Sequence, residues 1–290
     1  MQKKSYILPC TVVIISIVAV LLRVYQLLTV VDYNEMGFFV TSTDISGFLA
    51  VNGLYLLMGF NVILLIIGAI IDKKIGGNSF TRPAASLTPK QAVVLGAAFL
   101  IGACLRIYDL MLYFNKPKPD LGFISEVLIF VLYLVMGFII LGSKRFKPAV
   151  GYLHIVICIS YTLKAAVLFM QDTIIVRVSD ELLLLLSYVA SVLFFLALGR
   201  FITGNESRLT RHKLFIFGGF TVLLSLCASL AGYIALFINT NQIRQHMTMH
   251  PLSETGTALV ALTVIFTIYS SKALPVPVEN DESNEGNEMP

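Results

Sequence analysis

The sequence predicts an all-α, polytopic integral membrane protein of about eight transmembrane helices, arranged as four hairpins with a parallel internal repeat. Three observations carry this. Of 290 residues 57% are hydrophobic and 13% charged, with a mean hydropathy of +0.84, whereas a soluble domain carries roughly a quarter charged residues. Apolar runs of roughly 20 residues recur along the whole chain, each long enough at 1.5 Å per residue to cross a hydrocarbon core of about 30 Å. Lys and Arg also concentrate in every second connection. Because an unpaired backbone group in hydrocarbon costs several kcal/mol, such runs are read as helices that satisfy their own backbone.

The first span, Tyr6 to Val30, follows Lys3-Lys4 as a signal peptide would, but no small-x-small cleavage site follows and the run is read as a retained helix. The second runs from Gly47 to Ile71. The third, Pro89 to Tyr113, has the best-defined start: Thr88 as cap, Pro89 in the first helical position and Gln91 to close a capping box. Gly122 to Leu141, Pro148 to Met170, Asp180 to Phe201, Leu214 to Ile238 and Leu252 to Ser271 follow. The hairpins therefore cover 6–71, 89–141, 148–201 and 214–271 within a bundle of residues 1–273. Residues 274–290, with Glu279, Asp281, Glu282, Glu285 and Glu288, have little to bury and are expected to be a disordered acidic tail.

Charge orients the bundle. Lys3 and Lys4, then Lys73, Lys74, Arg82 and Lys90, then Lys144, Arg145 and Lys147, then Arg208, Arg211 and Lys213 fall on one side. The opposite connections hold only Lys116, Lys118, Arg177 and Arg244, among Asp32, Glu35, Asp44, Asp120, Asp172 and Asp180. By the positive-inside rule both termini, and so the acidic tail, are cytoplasmic in a cell membrane. A cytoplasmic partner for the tail is expected; nucleic acid is not.

Two segments recur in the same direction. Leu54-Tyr55-Leu56-Leu57-Met58-Gly59-Phe60 returns as Leu132-Tyr133-Leu134-Val135-Met136-Gly137-Phe138 with six identities in seven, and Leu22-Arg23-Val24-Tyr25-Gln26-Leu27 returns as Leu105-Arg106-Ile107-Tyr108-Asp109-Leu110. This points to a duplicated two-helix hairpin, a construction that transporters use to build a site between repeats.

Arg23, Arg106 and Lys164 each follow a basic, cytoplasmic helix start by 16 to 19 residues, roughly 24 to 29 Å. Two readings fit. The three cations snorkel to the outer headgroups, with Tyr25 and Tyr108 marking the interface, or they line an outer pocket for an anionic solute or lipid group. Asp109, one turn after Arg106, and Glu126, one turn inside the fourth span, are the candidate counter-ions. His154 and Asn61 lie at similar depth from the cytoplasmic side and form a candidate polar relay.

No metal, cofactor or catalytic group is expected. The loop Gln245 to His250 sets two His four residues apart without further ligands, and Cys10, Cys104, Cys158 and Cys227 lie singly on four apolar stretches as packing residues. Zinc-protease, nucleophile-elbow and nucleotide-loop motifs are absent from the sequence. Two functions are expected from different classes: a carrier or channel for a small anionic solute, or a non-transporting membrane sensor or assembly subunit.

Overall fold

The computed structural model describes residues 7–29, 31–32, 38–39, most of 52–70, and 88–114, 121–143, 148–171, 178–203, 210–238 and 251–270. The acidic tail and the Gln245 to His250 loop lie outside these. The described chain is helical apart from a two-residue antiparallel ladder, β1 (Val31–Asp32) with β2 (Phe38–Phe39), which the sequence reading did not anticipate.

α1 spans Ile7–Thr29, and the described residues between 52 and 70 are helical. Then come α2 (Pro89–Phe114), α3 (Leu121–Ser143), α4 (Pro148–Gln171) and α5 (Val178–Thr203). α6 (Thr210–Ser225) passes through a π-helical turn, Leu226–Leu230, into α7 (Ala231–Ile238), and α8 (Ser253–Ser270) closes the bundle. Six helical stretches are long and apolar enough to cross a membrane: Pro9–Thr29, Pro89–Leu112, Leu121–Gly142, Val150–Met170, Glu181–Thr203 and His212–Ile238. The apolar part of α8, Ser253–Ile268, is shorter. Six, rather than eight, is therefore the number of spans that helix length and composition support among the described residues.

α2 begins as its sequence dictates: Thr88 N–H donates to Gln91 Oε1 at 3.0 Å, and Gln91 N–H donates to Thr88 Oγ1 at 3.3 Å. Neighbours in sequence pack together, α2 with α3, α4 with α5 and α5 with α6, while α8 returns to lie against both α2 and α6. α8 runs antiparallel to α2. Gln91 near the start of α2 reaches Thr267 near the end of α8, and Asp109 near the end of α2 meets Leu252 and Ser253 at the start of α8. The two backbones touch midway, where a Cβ on Gly256 would lie 2.6 Å from Gly102 Cα. Only glycine permits so close an approach.

Burial is inverted relative to a soluble protein. Ile14, Ile17, Leu21, Val93, Phe138, Tyr152 and Phe169 point outward, while Arg23, Arg106, Lys164, Glu126, Asp109 and Glu254 are buried. Large apolar side chains on the outside and charges inside are what a lipid solvent selects.

Candidate functional site

Three helices each contribute a pair of polar residues one turn apart, the spacing that stacks two side chains on one helix face. α2 supplies Arg106 and Asp109, α4 supplies Tyr161 and Lys164, and α8 supplies Glu254 and Thr257. α3 adds Glu126 and, two turns deeper, Tyr133; α5 adds Tyr188. All meet at one end of the bundle, where α2 and α4 finish and α3, α5 and α8 begin.

Glu126 is the centre. Its Oε1 accepts from Arg106 Nη1 at 2.6 Å and its Oε2 from Lys164 Nζ at 2.7 Å, so one carboxylate joins cations from two different helices. Arg106 Nη2 also donates to Tyr161 Oη at 2.5 Å and to Thr257 Oγ1 at 2.9 Å. Thr257 Oγ1 in turn lies 2.6 Å from Tyr161 Oη and accepts from Tyr133 Oη at 3.3 Å. Lys164 Nζ has a longer second contact, 3.3 Å to Glu254 Oε1. Arg106 is 0% exposed and Lys164 4%, so neither reaches headgroups, and snorkelling is excluded for both.

Aromatic rings replace water around these cations. Arg106 Cζ stands 4.7 Å over the ring of Tyr133 and Lys164 Nζ 4.6 Å over that of Tyr188, so each cation has a tyrosine face on the next helix in sequence. Such contacts contribute roughly 0.5 to 2 kcal/mol each when desolvated. Beneath them Phe195 stacks on Tyr161 at 5.9 Å and packs against Tyr133 at 6.0 Å, closing the site on its inner side.

The other residues singled out by sequence are placed elsewhere. Asp109 does not pair with Arg106. Its two oxygens accept the backbone N–H groups of Leu252 at 2.9 Å and Ser253 at 2.8 Å, which caps the start of α8 from a neighbouring helix. Arg23 is buried, 1% exposed, and so does not snorkel either; its Nη1 donates to Gln26 Oε1 at 3.0 Å within α1, beside the π turn. Two of the three cations, Arg106 and Lys164, therefore converge on Glu126.

His154 lies two turns deeper than Tyr161 on α4; its Nδ1–H donates to Val150 O at 3.0 Å, and its Nε2 has no partner among the described residues. Asn61 is buried with Oδ1 likewise unpartnered among the described residues. No hydrogen bond of either joins the Glu126 network. His154 does approach its inner wall, with its ring centroid 6.1 Å from that of Phe195.

Glu254, Thr257, Tyr161 and Tyr188 are the members that sequence reasoning missed. A signal existed: Ser253-Glu254-Thr255-Gly256-Thr257 is a polar opening to an otherwise apolar run, with its acid in the first helical turn. No group of three or more potential metal ligands occurs among the described residues. No protein-family model, no curated protein and no solved structure matches this chain.

Proposed function

We propose that this chain is a carrier for a small anionic solute, with Arg106 and Lys164 as the ligands of the anion and Glu126 as the internal carboxylate that occupies their site when no solute is bound. One observation carries the reading: two buried cations from different helices converge on the two oxygens of a single carboxylate, at 2.6 and 2.7 Å, which is the geometry that a carboxylate or phosphate solute needs. The full architecture belongs to the same proposal: eight spans in four hairpins, the first two related by an axis along the membrane normal, and both termini and the tail in the cytoplasm. In that orientation the network lies toward the outer face. The candidate ligands Arg23 and Asp109 then serve the frame, Arg23 at the π turn and Asp109 at the cap of α8.

A different observation favours the alternative, a non-transporting sensor or assembly subunit. Both terminal nitrogens of Arg106 already donate to the protein, while its Nε has no partner among the described residues, and their bonds tie α2 to α3, α4 and α8, which is what a fixed clamp does. The acidic tail would then recruit a cytoplasmic partner.

Thermal unfolding of the full-length chain in detergent, with inorganic phosphate, acetate or a dicarboxylate added, separates the two. An anion that binds the folded state at 100 times its Kd stabilises it by about 2.7 kcal/mol. Under the carrier reading at least one of these raises the unfolding temperature, and Arg106→Lys weakens that response roughly tenfold because an ammonium lacks the two parallel donors. An unchanged unfolding temperature with all three anions supports the subunit instead. Labelling of single cysteines at Ser42 or Asn241, but not Ser79, by an impermeant thiol reagent on intact cells tests the orientation.

A further inference from the structure

Three buried carboxylates, Glu126, Asp109 and Glu254, lie at this end of the bundle. An ionised carboxylate inside the bundle needs a cation or hydrogen-bond donors on its oxygens. The three carboxylates are not equally served. Glu126 has a cation on each oxygen, at 2.6 and 2.7 Å. Asp109 accepts a backbone N–H on each oxygen, at 2.9 and 2.8 Å, at the positive end of α8.

Glu254 is the exception. Its Oε1 has a contact of 3.3 Å with Lys164 Nζ, which is committed to Glu126 at the shorter distance, and its Oε2 has no partner among the described residues although the residue is 0% exposed. Of the elements packed against α8, α1 carries Arg23, whose Nη1 donates to Gln26, and the π turn carries the neutral Cys227; among the described residues the ion pair of Glu254 is with Lys164. Tyr133 and Tyr161 present hydroxyls that are spent on Thr257.

We infer that Glu254 is a proton-binding site, its carboxyl carrying a hydrogen at neutral pH. The O–H bond forms on Oε2, the oxygen without a partner, and the proton comes from water; nothing is oxidised or reduced. The proton site stands independently of any solute. Its coupling to transport rests on the carrier reading: a monoanion entering between Arg106 and Lys164 adds one negative charge, and that charge is offset when the displaced carboxylate of Glu126 takes up one proton. Anion and proton then move together.

Infrared difference spectroscopy on the purified full-length chain in detergent tests the site, because a buried protonated carboxyl has a C=O band that a carboxylate lacks. The parent protein at neutral pH should show this band, Glu254→Gln should lose it, and Asp109→Asn should keep it. Loss of the band in Asp109→Asn with retention in Glu254→Gln, or no band in the parent, overturns the inference. As a second readout, Glu254→Gln replaces a neutral acid by a neutral isostere, so its apparent Tm should stay within about 2 °C of the parent at neutral pH. A variant that unfolds many degrees lower, or does not fold, shows that Glu254 works as an anion and overturns it equally. Addition of inorganic phosphate or acetate distinguishes the coupled reading: a band at Glu254 with no anion-dependent rise in Tm leaves the proton site in place and removes the carrier.

Discussion

Arg23 and Arg106 stand at matching positions of a repeated hexapeptide, yet the bundle gives them different lives. Arg23 turns to Gln26, three residues on along its own helix, while Arg106 ignores the residue three positions on, Asp109, and spreads its donors over Glu126, Tyr161 and Thr257 on three other helices. Of the two differences between the hexapeptides, the change of Gln26 to Asp109, three residues after the arginine, is instructive. A neutral amide satisfies its own helix's arginine, whereas a carboxylate finds a better use, capping two free N–H groups at the start of α8. One arginine bonds to a residue of its own helix; the other joins four helices.

That contrast is most sharply tested at its acceptors. Glu126→Ala would leave both Arg106 and Lys164 buried and without their strongest partner, and should destabilise the protein by about 3 to 5 kcal/mol. Gln26→Ala removes a hydrogen bond to a cation and should cost about 1.5 to 3 kcal/mol. Thermal unfolding of the two variants side by side reads the difference, and equal losses would mean that Arg23 is as deeply embedded in the energetics as Arg106.

The next largest difference should appear on exchange of the cations for each other's chemistry. Arg106→Lys keeps the charge but cannot serve three acceptors spread over three helices, so a loss of roughly 2 to 3 kcal/mol is expected. Arg23→Lys should lose about 1 kcal/mol or less, since an ammonium can still reach Gln26. Denaturant or heat titration in one detergent suffices, and a larger loss at Arg23 would break the comparison.

A backbone change tests whether α8 holds the Arg106 site together. Gly256→Ala adds a Cβ that would sit 2.6 Å from Gly102 Cα, which forces α8 away from α2 and separates Thr257 from Arg106. Overpacking of this kind costs about 1 to 3 kcal/mol. Double-mutant analysis with Thr257→Ala should give a sum that is less than additive, whereas Gly256→Ala with Gln26→Ala should add.

The smallest effect is expected at Thr88, whose capping box is exposed at the far end of α2. Thr88→Ala should cost about 0.5 to 2 kcal/mol, without altering any response of the Glu126 site to anions or pH. A shift in those responses would show that the two ends of α2 communicate.

Local patterns made much of the frame legible. The capping box at Thr88 and Gln91 forms as written because its partners are three residues apart, and the apolar runs become helices because a chain in lipid must satisfy its own backbone. Glu126 stood out because a charge inside an apolar run demands a partner. Thr257, Tyr161 and Tyr188 did not, because hydroxyls and rings in apolar helices are as often packing as ligands, and their partners lie far away in sequence: Thr257 is separated from Arg106 by 151 positions and from Tyr161 by 96.

By itself, then, the sequence determined that this protein is helical and apolar, with a few charges set inside its apolar runs, since composition and period are properties of each segment alone. Which charge meets which was decided only by the tertiary structure. Asp109 and Glu126 are both acids within reach of Arg106 by spacing, and nothing local tells them apart; α8, returning antiparallel with its first N–H groups unpaired, draws Asp109 away and leaves Glu126 to the two cations. The physical reason is that a buried carboxylate goes to whichever donors the packed helices place within about 3 Å of it, and those donors come from segments that the chain brings together only on folding.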